Sequence, residues 1–279
     1  MIYTHVNVDL DAVCSLLAWI KFVLKIPFAK AKIKFVPANW DGKGMRKKDV
    51  ALDIEAGEKG LKGEKEEEGK VLSCFSFIVE RYCSDDEKYA LKELVKYVDG
   101  QDSTGNGAKT FGLSAENAKV WQRTGLVGIL NGFRQIYKGN DLKVCREMFK
   151  ILDAILADGL VRSGAWKQLE AIKWFGKVAV TENLPQNMTK ILFKKGADIV
   201  IFARGNNIGV LKKKGLDIPL NHSEIIAVLG EEAEEWFYHS SGFLFCRGSD
   251  KSPVMTPSKT RPEELAETYN NILTNSGLA

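Results

Sequence analysis

The sequence predicts an α/β protein with a mainly parallel sheet in its N-terminal domain, a helical connector and a smaller C-terminal α/β domain. Three observations predict this class. The first 54 residues read as strand, helix, strand, strand; the middle of the chain has helical periodicity alone; and short β-branched runs separated by glycines begin near Lys177. A chain of 279 residues exceeds the usual size of one domain, so we expect two, residues 1–170 and 177–279.

The N-terminal elements follow from local composition. Residues 2–8 are rich in β-branched and aromatic side chains and predict a strand. A helix comes next, with Asp11 as its cap and apolar residues at helical spacing. Residues 32–36 alternate between polar and apolar and predict a second strand, and residues 50–54 predict a third that contains Asp53.

The rest of the chain divides into helices and then strands. A helical apolar period covers residues 72–82 and 87–98, and further helices are expected through Phe175. A run of turn-forming residues, Asp99 to Gly105, is the predicted stop of the second helix. In the C-terminal domain we expect strands over 177–180, 199–202 and 208–211, with turns at Gly196, Gly205 and Gly215.

Composition excludes several classes of protein. With 45% hydrophobic and 27% charged residues and a mean hydropathy of -0.16, the chain is typical of a soluble globular protein. Lys21 and Lys25 interrupt the longest apolar stretch, residues 12–28, and the N-terminus lacks the basic segment of a signal peptide. We therefore expect neither a membrane span nor contact with a membrane.

Cysteine usage and charge narrow the class further. The five cysteines are odd in number and never spaced as CxxC, which argues against a disulfide framework or a thiolate zinc site and favours a cytoplasmic protein. The net charge of +4 arises in residues 101–176, which hold 11 basic and 7 acidic side chains. This mild bias is typical of solvated helix faces rather than of a nucleic-acid-binding stripe.

The strongest chemical signal lies at the end of the first predicted strand. His5, Asp9 and Asp11 occupy the turn into the first helix, at the sheet edge where open parallel sheets bind ligands. In such a turn both carboxylates and the imidazole can face one crevice and hold a hard divalent cation. The alternative is structural: the two aspartates cap the helix and His5 packs against the sheet.

Further acids favour the metal interpretation. Asp53 is an acid in an apolar strand, and a buried carboxylate without a partner is costly, so a metal ion is a natural explanation. The alternative is that Asp53 begins the loop and accepts backbone N–H groups. Asp99 and Asp102 lie where the second helix is predicted to end, and the helix dipole disfavours anions there, so a positive partner is implied.

Taken in order, these motifs resemble the DHH phosphoesterase superfamily. Asp53 is similar to the aspartate of the second family motif, and Asp99-Gly100-Gln101-Asp102 to the fourth. Residues 236–243 resemble a His-Ala-Ser-Gly-Phe segment of one branch, the melanocyte-proliferating-gene proteins. The first family motif, His-x-Asn-x-Asp-x-Asp-Ala-x-x-Ser, is matched by His5, Asn7, Asp9, Asp11, Ala12 and Ser15.

The third family motif, Asp-His-His, is absent. Where the resemblance locates it, the chain has a glycine- and charge-rich run over residues 57–69. In the family this motif supplies one histidine to the metal and another to the substrate phosphate. A glutamate of the run, Glu64 foremost, is the predicted replacement ligand, and a lysine, one of Lys59, Lys62 and Lys65, the replacement cation. The alternative is a solvated loop beside a site that has lost activity.

The resemblance implies a metal-dependent hydrolase, a phosphodiesterase or nuclease. Mn²⁺ or Mg²⁺ is the expected cofactor, and short RNA or DNA, a nucleotide or an inorganic polyphosphate the expected substrate. A homodimer is a further expectation. The alternative function is a non-catalytic module that binds a nucleotide, a nucleic acid or a protein partner.

Roles for individual residues complete these expectations. Asp9, Asp11 and Asp53 are the predicted catalytic residues. Residues 1–170 are the predicted metal-binding domain, and residues 177–279, across an interdomain cleft, the substrate-binding domain. The expected metal ligands are His5, Asp9, Asp11, Asp53, Asp99, Asp102 and Glu64, and the expected substrate contacts are Arg204, Asn207, His239, Ser241 and Arg247.

Overall fold

The computed structural model describes residues 1–63, 72–183 and 189–277. The chain forms two compact units, Met1–Ser163 and Gly164–Ala279, and each contains a sheet and helices. The predicted α/β class is confirmed. The roles assigned to the two domains stay predictions. Within the part of the chain that is described, no helix combines the length and the apolar character needed to cross a bilayer.

Unit 1 contains the parallel sheet that the sequence predicts. Its strands are β1 (Ile2–His5), β2 (Ile33–Val36), β3 (Val50–Leu52) and β4 (Gly60–Leu61), in the order β2-β1-β3-β4. Every neighbouring pair is parallel, and Ile2 of β1 is in register with Val50 of β3. Because parallel strands share an orientation, their carboxyl ends form one edge of the sheet. This edge positions the candidate site.

Helices build the rest of unit 1. The largest side chains in their core are fully buried, among them Leu16, Phe75, Leu91 and Met148. These residues lie on different helices, so their burial packs the helices together around a shared apolar core. The helices are α1 (Leu10–Ala18), α2 (Cys74–Tyr82), α3 (Asp85–Thr104), α4 (Ala115–Thr124), α5 (Leu126–Ile136) and α6 (Asp141–Gln168).

Two helix boundaries differ from the prediction. Helix α1 begins at Leu10, and its N-cap is Asp9, whose Oδ1 accepts a hydrogen bond from the Ala12 amide at 2.9 Å. The assignment of Asp11 as the cap was wrong. Helix α3 continues through Asp99 to Thr104 and ends where Gly105 adopts a φ of 69°. Glycine alone adopts this left-handed conformation without strain, so it sets the boundary.

Unit 2 has a mixed sheet flanked by three helices among the described residues, α7 (Thr189–Lys194), α8 (Ser223–Leu229) and α9 (Pro262–Asn275). Strands β6 and β7 are parallel, and all other neighbouring pairs are antiparallel. The strands are β5 (Lys173–Phe175), β6 (Val178–Glu182), β7 (Ile199–Arg204), β8 (Asn207–Lys212), β9 (Phe237–Tyr238) and β10 (Leu244–Arg247), in the order β5-β6-β7-β8-β10-β9.

All three predicted strands of unit 2 are confirmed. Its glycine turns are confirmed as well, because Gly196, Gly205 and Gly215 all have positive φ. The expectation of helix through Phe175 was wrong at its end. Residues 173–175 form β5, which pairs with β6, and the two consecutive aromatic residues in it favour a strand.

Candidate metal site

His5 and Asp53 meet at the carboxyl edge of the parallel sheet. His5 is the last residue of β1, and Asp53 directly follows β3, the neighbouring strand. His5 Nε2 lies 3.1 Å from Asp53 Oδ2, and both side chains are 13% exposed. Asp53 has a φ of 56°, and its amide donates to the Leu61 carbonyl at 2.7 Å. Aspartate tolerates this left-handed conformation better than most residues, which lets the chain leave β3 with the carboxylate directed at His5.

The other ring nitrogen of His5 fixes its tautomer. Nδ1 lies 2.9 Å from the Val6 carbonyl oxygen, which can only accept, so Nδ1 carries a proton. A neutral ring would then face Asp53 with the lone pair of Nε2, and two acceptors at 3.1 Å repel unless a cation lies between them. In the metal-free protein that cation is a proton: the hydrogen bond to Asp53, and then the Asp9 carboxylate 3.7 Å away, raise the pKa of His5 to about 10 despite its burial.

Asp9 completes a group of three ligand atoms. Its Oδ2 lies 3.7 Å from His5 Nε2, while its Oδ1 caps helix α1. Burial alone raises the pKa of Asp9, but hydrogen bonds from His5 and the Ala12 amide, with the charges of His5 and Arg134, lower it below its ordinary value. Ligand atoms of His5, Asp9 and Asp53 all lie within 4.8 Å of one another.

The loop before Asp9 is held by a residue that the sequence analysis did not single out. Asn7 has a φ of 54°. The carboxylate of Asp141, at the start of α6, accepts hydrogen bonds from the amides of Asn7 at 3.0 Å and Val8 at 3.2 Å. These contacts span more than 130 residues of sequence, so no local pattern predicts them. They fix the position from which Asp9 reaches His5.

Asp11 is directed at a different element. It is 4% exposed, and its carboxylate accepts hydrogen bonds from the amides of Cys74 at 2.9 Å and Phe75 at 2.8 Å and from the Ser15 hydroxyl at 3.1 Å. Burial, and then the charge of Asp53, raise the pKa of Asp11, while the two amides oppose the rise. Asp11 therefore anchors the first turn of α2 close to the three-ligand group.

Asp99 and Asp102 have different surroundings. Asp99 Oδ1 accepts hydrogen bonds from the Ser73 amide at 2.9 Å and the Ser73 hydroxyl at 2.6 Å. Asp99 therefore binds the N-cap residue of α2, whereas the sequence analysis expected a positively charged partner. Burial, followed by the charges of Asp53, Asp9 and Asp99, raises the pKa of Asp102. Whether these two residues or Asp11 ligate a metal stays a prediction.

The replacements for the missing third motif are only partly described. Glu64 and Lys65 lie outside the described residues. Lys59 Nζ donates to the Met45 carbonyl at 3.0 Å, and Lys62 Nζ forms an ion pair with Glu55 at 3.1 Å. The positive charge of Lys62 also works to lower the pKa of Asp53 and of Asp102.

In unit 2 the predicted substrate contacts are dispersed. Arg204 and Asn207 face each other across the β7–β8 turn. Arg204 forms an ion pair with Asp250 at 3.3 Å, and Asn207 Oδ1 accepts a hydrogen bond from the Val254 amide at 3.1 Å. His239 Nδ1 lies 2.5 Å from the hydroxyl of Ser241, in the β9–β10 turn. A substrate role for these four residues stays a prediction.

Arg247, the fifth predicted substrate contact, is buried. Its side chain is 3% exposed; Nε lies 3.0 Å from Glu232, Nη2 2.7 Å from Glu235, and Nη1 donates to the Thr256 carbonyl at 2.8 Å. Because the guanidinium is enclosed and its donors are used inside unit 2, Arg247 is a packing residue of that unit. A substrate role for Arg247 stays a prediction, and it would require these bonds to be exchanged.

The three-ligand group suits a hard divalent cation. It offers one imidazole nitrogen and two carboxylate oxygens, the donors that Mn²⁺ and Mg²⁺ accept. The Val6 carbonyl is the kind of outer partner that orients a metal-binding imidazole. A cation would also remove the repulsion between facing acceptors, which in its absence requires a proton. The residues present therefore fit a divalent metal ion.

Comparisons with known proteins found distant likenesses. No family model matches the chain, and no curated protein matches it. Among solved structures, an uncharacterized protein from Helicobacter pylori aligns over 99% of both chains with 11% identity and a TM-score of 0.25. RecJ from Thermus thermophilus, in complex with Mg²⁺, aligns over 97% of this chain and 49% of its own, with 11% identity and a TM-score of 0.32. Two chains at such scores need not share a topology, so the proposal below rests on the residues of this chain.

Proposed function

We propose that this protein is a divalent-metal-dependent phosphoesterase whose metal site is formed by His5, Asp9 and Asp53. The observation that supports this most is the 3.1 Å approach of His5 Nε2 to Asp53 Oδ2, with the tautomer of His5 fixed by the Val6 carbonyl. This contact needs a positive charge, either the proton of an imidazolium or a metal ion, and Asp9 supplies a third ligand atom for a metal ion. The motif resemblance to DHH phosphoesterases, set by residues 5–15, agrees with this assignment.

The chain's own residues perform defined tasks in this proposal. A bound divalent cation supplies positive charge for phosphoryl oxygens and lowers the pKa of water. His5 and Asp53 would hold it from the sheet edge, and Asp9 would hold it from the N-cap position of α1. Asp11 fixes the start of α2 through its bonds to the Cys74 and Phe75 amides. A carboxylate at this position also favours the binding of a cation nearby.

The proposed substrate is a phosphodiester or phosphoanhydride of a short nucleic acid or a nucleotide, and the proposed cofactor is Mn²⁺ or Mg²⁺. Because the third family motif is missing, we expect a slow enzyme: loss of one electrostatic contact to the reacting phosphate costs on the order of a hundredfold to a thousandfold in rate.

The test combines metal binding with hydrolysis. Mn²⁺ binding is measured by calorimetry, and hydrolysis of bis(p-nitrophenyl) phosphate and of a short oligonucleotide is followed at saturating Mn²⁺. Asp53→Asn and Asp9→Asn should both weaken Mn²⁺ binding and abolish hydrolysis. Asp158→Asn is the control, because Asp158 is an exposed carboxylate of α6 that pairs with Arg162 instead.

Each result has a definite meaning. Mn²⁺ binding and hydrolysis that both depend on Asp53 support the proposal. Equal hydrolysis by the parent and both site variants indicates a contaminating activity. Mn²⁺ binding without any hydrolysis contradicts the enzyme and favours the non-catalytic binding module.

A further inference from the structure

A cavity of about 430 Å³ lies beside Asp9 in unit 1 and contains groups to which no role has been given above. Its wall includes Asp9 and Asp102, Arg134 and Asn131 of α5, and the two amide side chains of Gln101 and Gln122. The volume falls in the range of small-ligand pockets. The cavity adjoins the proposed metal site, because Asp9 belongs to both.

Arg134 is the cation of this cavity. Its Nη2 donates to the Asn7 carbonyl at 3.3 Å, and its Nη1 lies 3.5 Å from Asn131 Oδ1. Both contacts are long, and they engage two of the five N–H donors of a guanidinium. The residue is half-buried.

The surroundings of Arg134 are acidic, yet it forms no close ion pair there. The positive charge of Arg134 helps to lower the pKa of Asp9. Asp11 and Asp102 line the same cavity. Among the residues that the structure describes, no carboxylate oxygen lies within 4.0 Å of a guanidinium nitrogen of Arg134. An arginine that is positioned beside carboxylates without bonding them keeps its fork of donors available for another oxyanion.

The amide side chains give the cavity a fixed, neutral wall. Gln122 Nε2 donates to the Gly105 carbonyl at 2.6 Å and approaches Gln101 Oε1 at 3.4 Å, and the same oxygen accepts from the Gly107 amide at 3.2 Å. These bonds tie α4 to the end of α3. They hold this part of the wall in place, and both side chains are neutral and do not compete for Arg134.

We propose that Arg134 binds the phosphoryl group of the substrate beside the metal site. This inference rests on the proposed function and refines it: Arg134, rather than a lysine of the loop after β3, supplies the cation to the scissile phosphate. Lys59 and Lys62 are engaged by the Met45 carbonyl and by Glu55, whereas Arg134 faces the cavity that Asp9 shares. A guanidinium offers two parallel N–H donors in a fixed fork that matches two phosphate oxygens, whereas the ammonium of a lysine acts as a point charge.

The experiment measures binding of inorganic phosphate to the full-length protein by calorimetry, once with saturating Mg²⁺ and once with EDTA. Arg134→Gln should weaken phosphate binding by about ten- to a hundredfold, and Arg134→Lys by less. Arg123→Gln, which changes an exposed arginine of the adjacent α4, should leave it unchanged. Mg²⁺ affinity of Arg134→Gln should equal or exceed that of the parent, because a positive charge near Asp9 has been removed.

The outcomes separate this inference from the proposed function. Phosphate affinity that is equal in the parent, Arg134→Gln and Arg123→Gln overturns the role of Arg134, even if Mg²⁺ binds. Absence of phosphate binding by the parent in both conditions overturns it as well. Failure of the parent to bind Mg²⁺, with phosphate binding in EDTA that still depends on Arg134, contradicts the metal site and leaves the Arg134 contact supported. Circular dichroism of each variant checks its fold.

Discussion

Replacement of Asp11 by alanine should destabilise unit 1 strongly, because this carboxylate joins α1 to the first turn of α2. In the variant, the amides of Cys74 and Phe75 lose their acceptor in a buried position. An unsatisfied buried donor costs about 1–3 kcal/mol, so the two amides together cost about 2–6 kcal/mol. Relief of the repulsion between Asp11 and Asp53 offsets part of this, and we expect a net loss of about 2–4 kcal/mol. Asp11→Asn keeps one oxygen acceptor and should lose about half as much.

The assay is urea unfolding in EDTA, combined with hydrogen exchange of the peptide that covers α2. Exchange at Cys74 and Phe75 should accelerate in Asp11→Ala, since the hydrogen bonds that protect these amides are gone. Asp9→Ala is the reference, because it removes a helix cap, a loss of about 1 kcal/mol. If Asp11→Ala is no less stable than Asp9→Ala and exchange at α2 is unchanged, the reasoning about this anchor is refuted.

Three further predictions concern pH, proton release and packing. In EDTA, the pKa of His5 is raised from 6.5 to about 10, so its contribution to stability is full below pH 6.5 and is lost as the pH rises towards 10; thermal unfolding of His5→Gln should lack this decline. Mn²⁺ binding at pH 8 should release about one proton from His5, measured by calorimetry in buffers of different ionisation enthalpy, and absence of release would contradict its role as a ligand. Arg247→Ala leaves Glu232 buried without its ion pair, so urea unfolding should show a loss of about 3–5 kcal/mol in unit 2 with unchanged Mn²⁺ affinity.

Part of the site follows from sequence by a simple argument. His5 and Asp53 both lie within predicted strands, residues 2–8 and 50–54, and neighbouring parallel strands bring residues near their carboxyl ends to one edge of the sheet. In the structure, His5 Nε2 lies 3.1 Å from Asp53 Oδ2. What the pattern could not indicate is the exact exit of the chain from β3, because the left-handed conformation of Asp53 depends on its bond to Leu61, in the neighbouring strand.

Long-range partners account for most of what sequence could not predict. Asp11 has the local features of a helix cap, but its acceptor role is set by amides more than 60 residues away. Asp141 and Arg134 act on the Asn7 loop from α6 and α5, where no motif distinguishes them from other charged residues on helices. Arg247 was predicted as a cation for the substrate, and no sequence pattern indicated the two glutamates, Glu232 and Glu235, that pair with it.

The most direct test of the metal site is anomalous scattering at the manganese edge from crystals of the parent and of Asp53→Asn soaked in Mn²⁺. We predict a peak among His5 Nε2, Asp9 and Asp53 in the parent and its loss in Asp53→Asn. A second peak toward Asp11 or Asp102 would extend the site without altering this result. Absence of any peak at His5 in the parent, or a peak that persists unchanged in Asp53→Asn, would contradict the assignment.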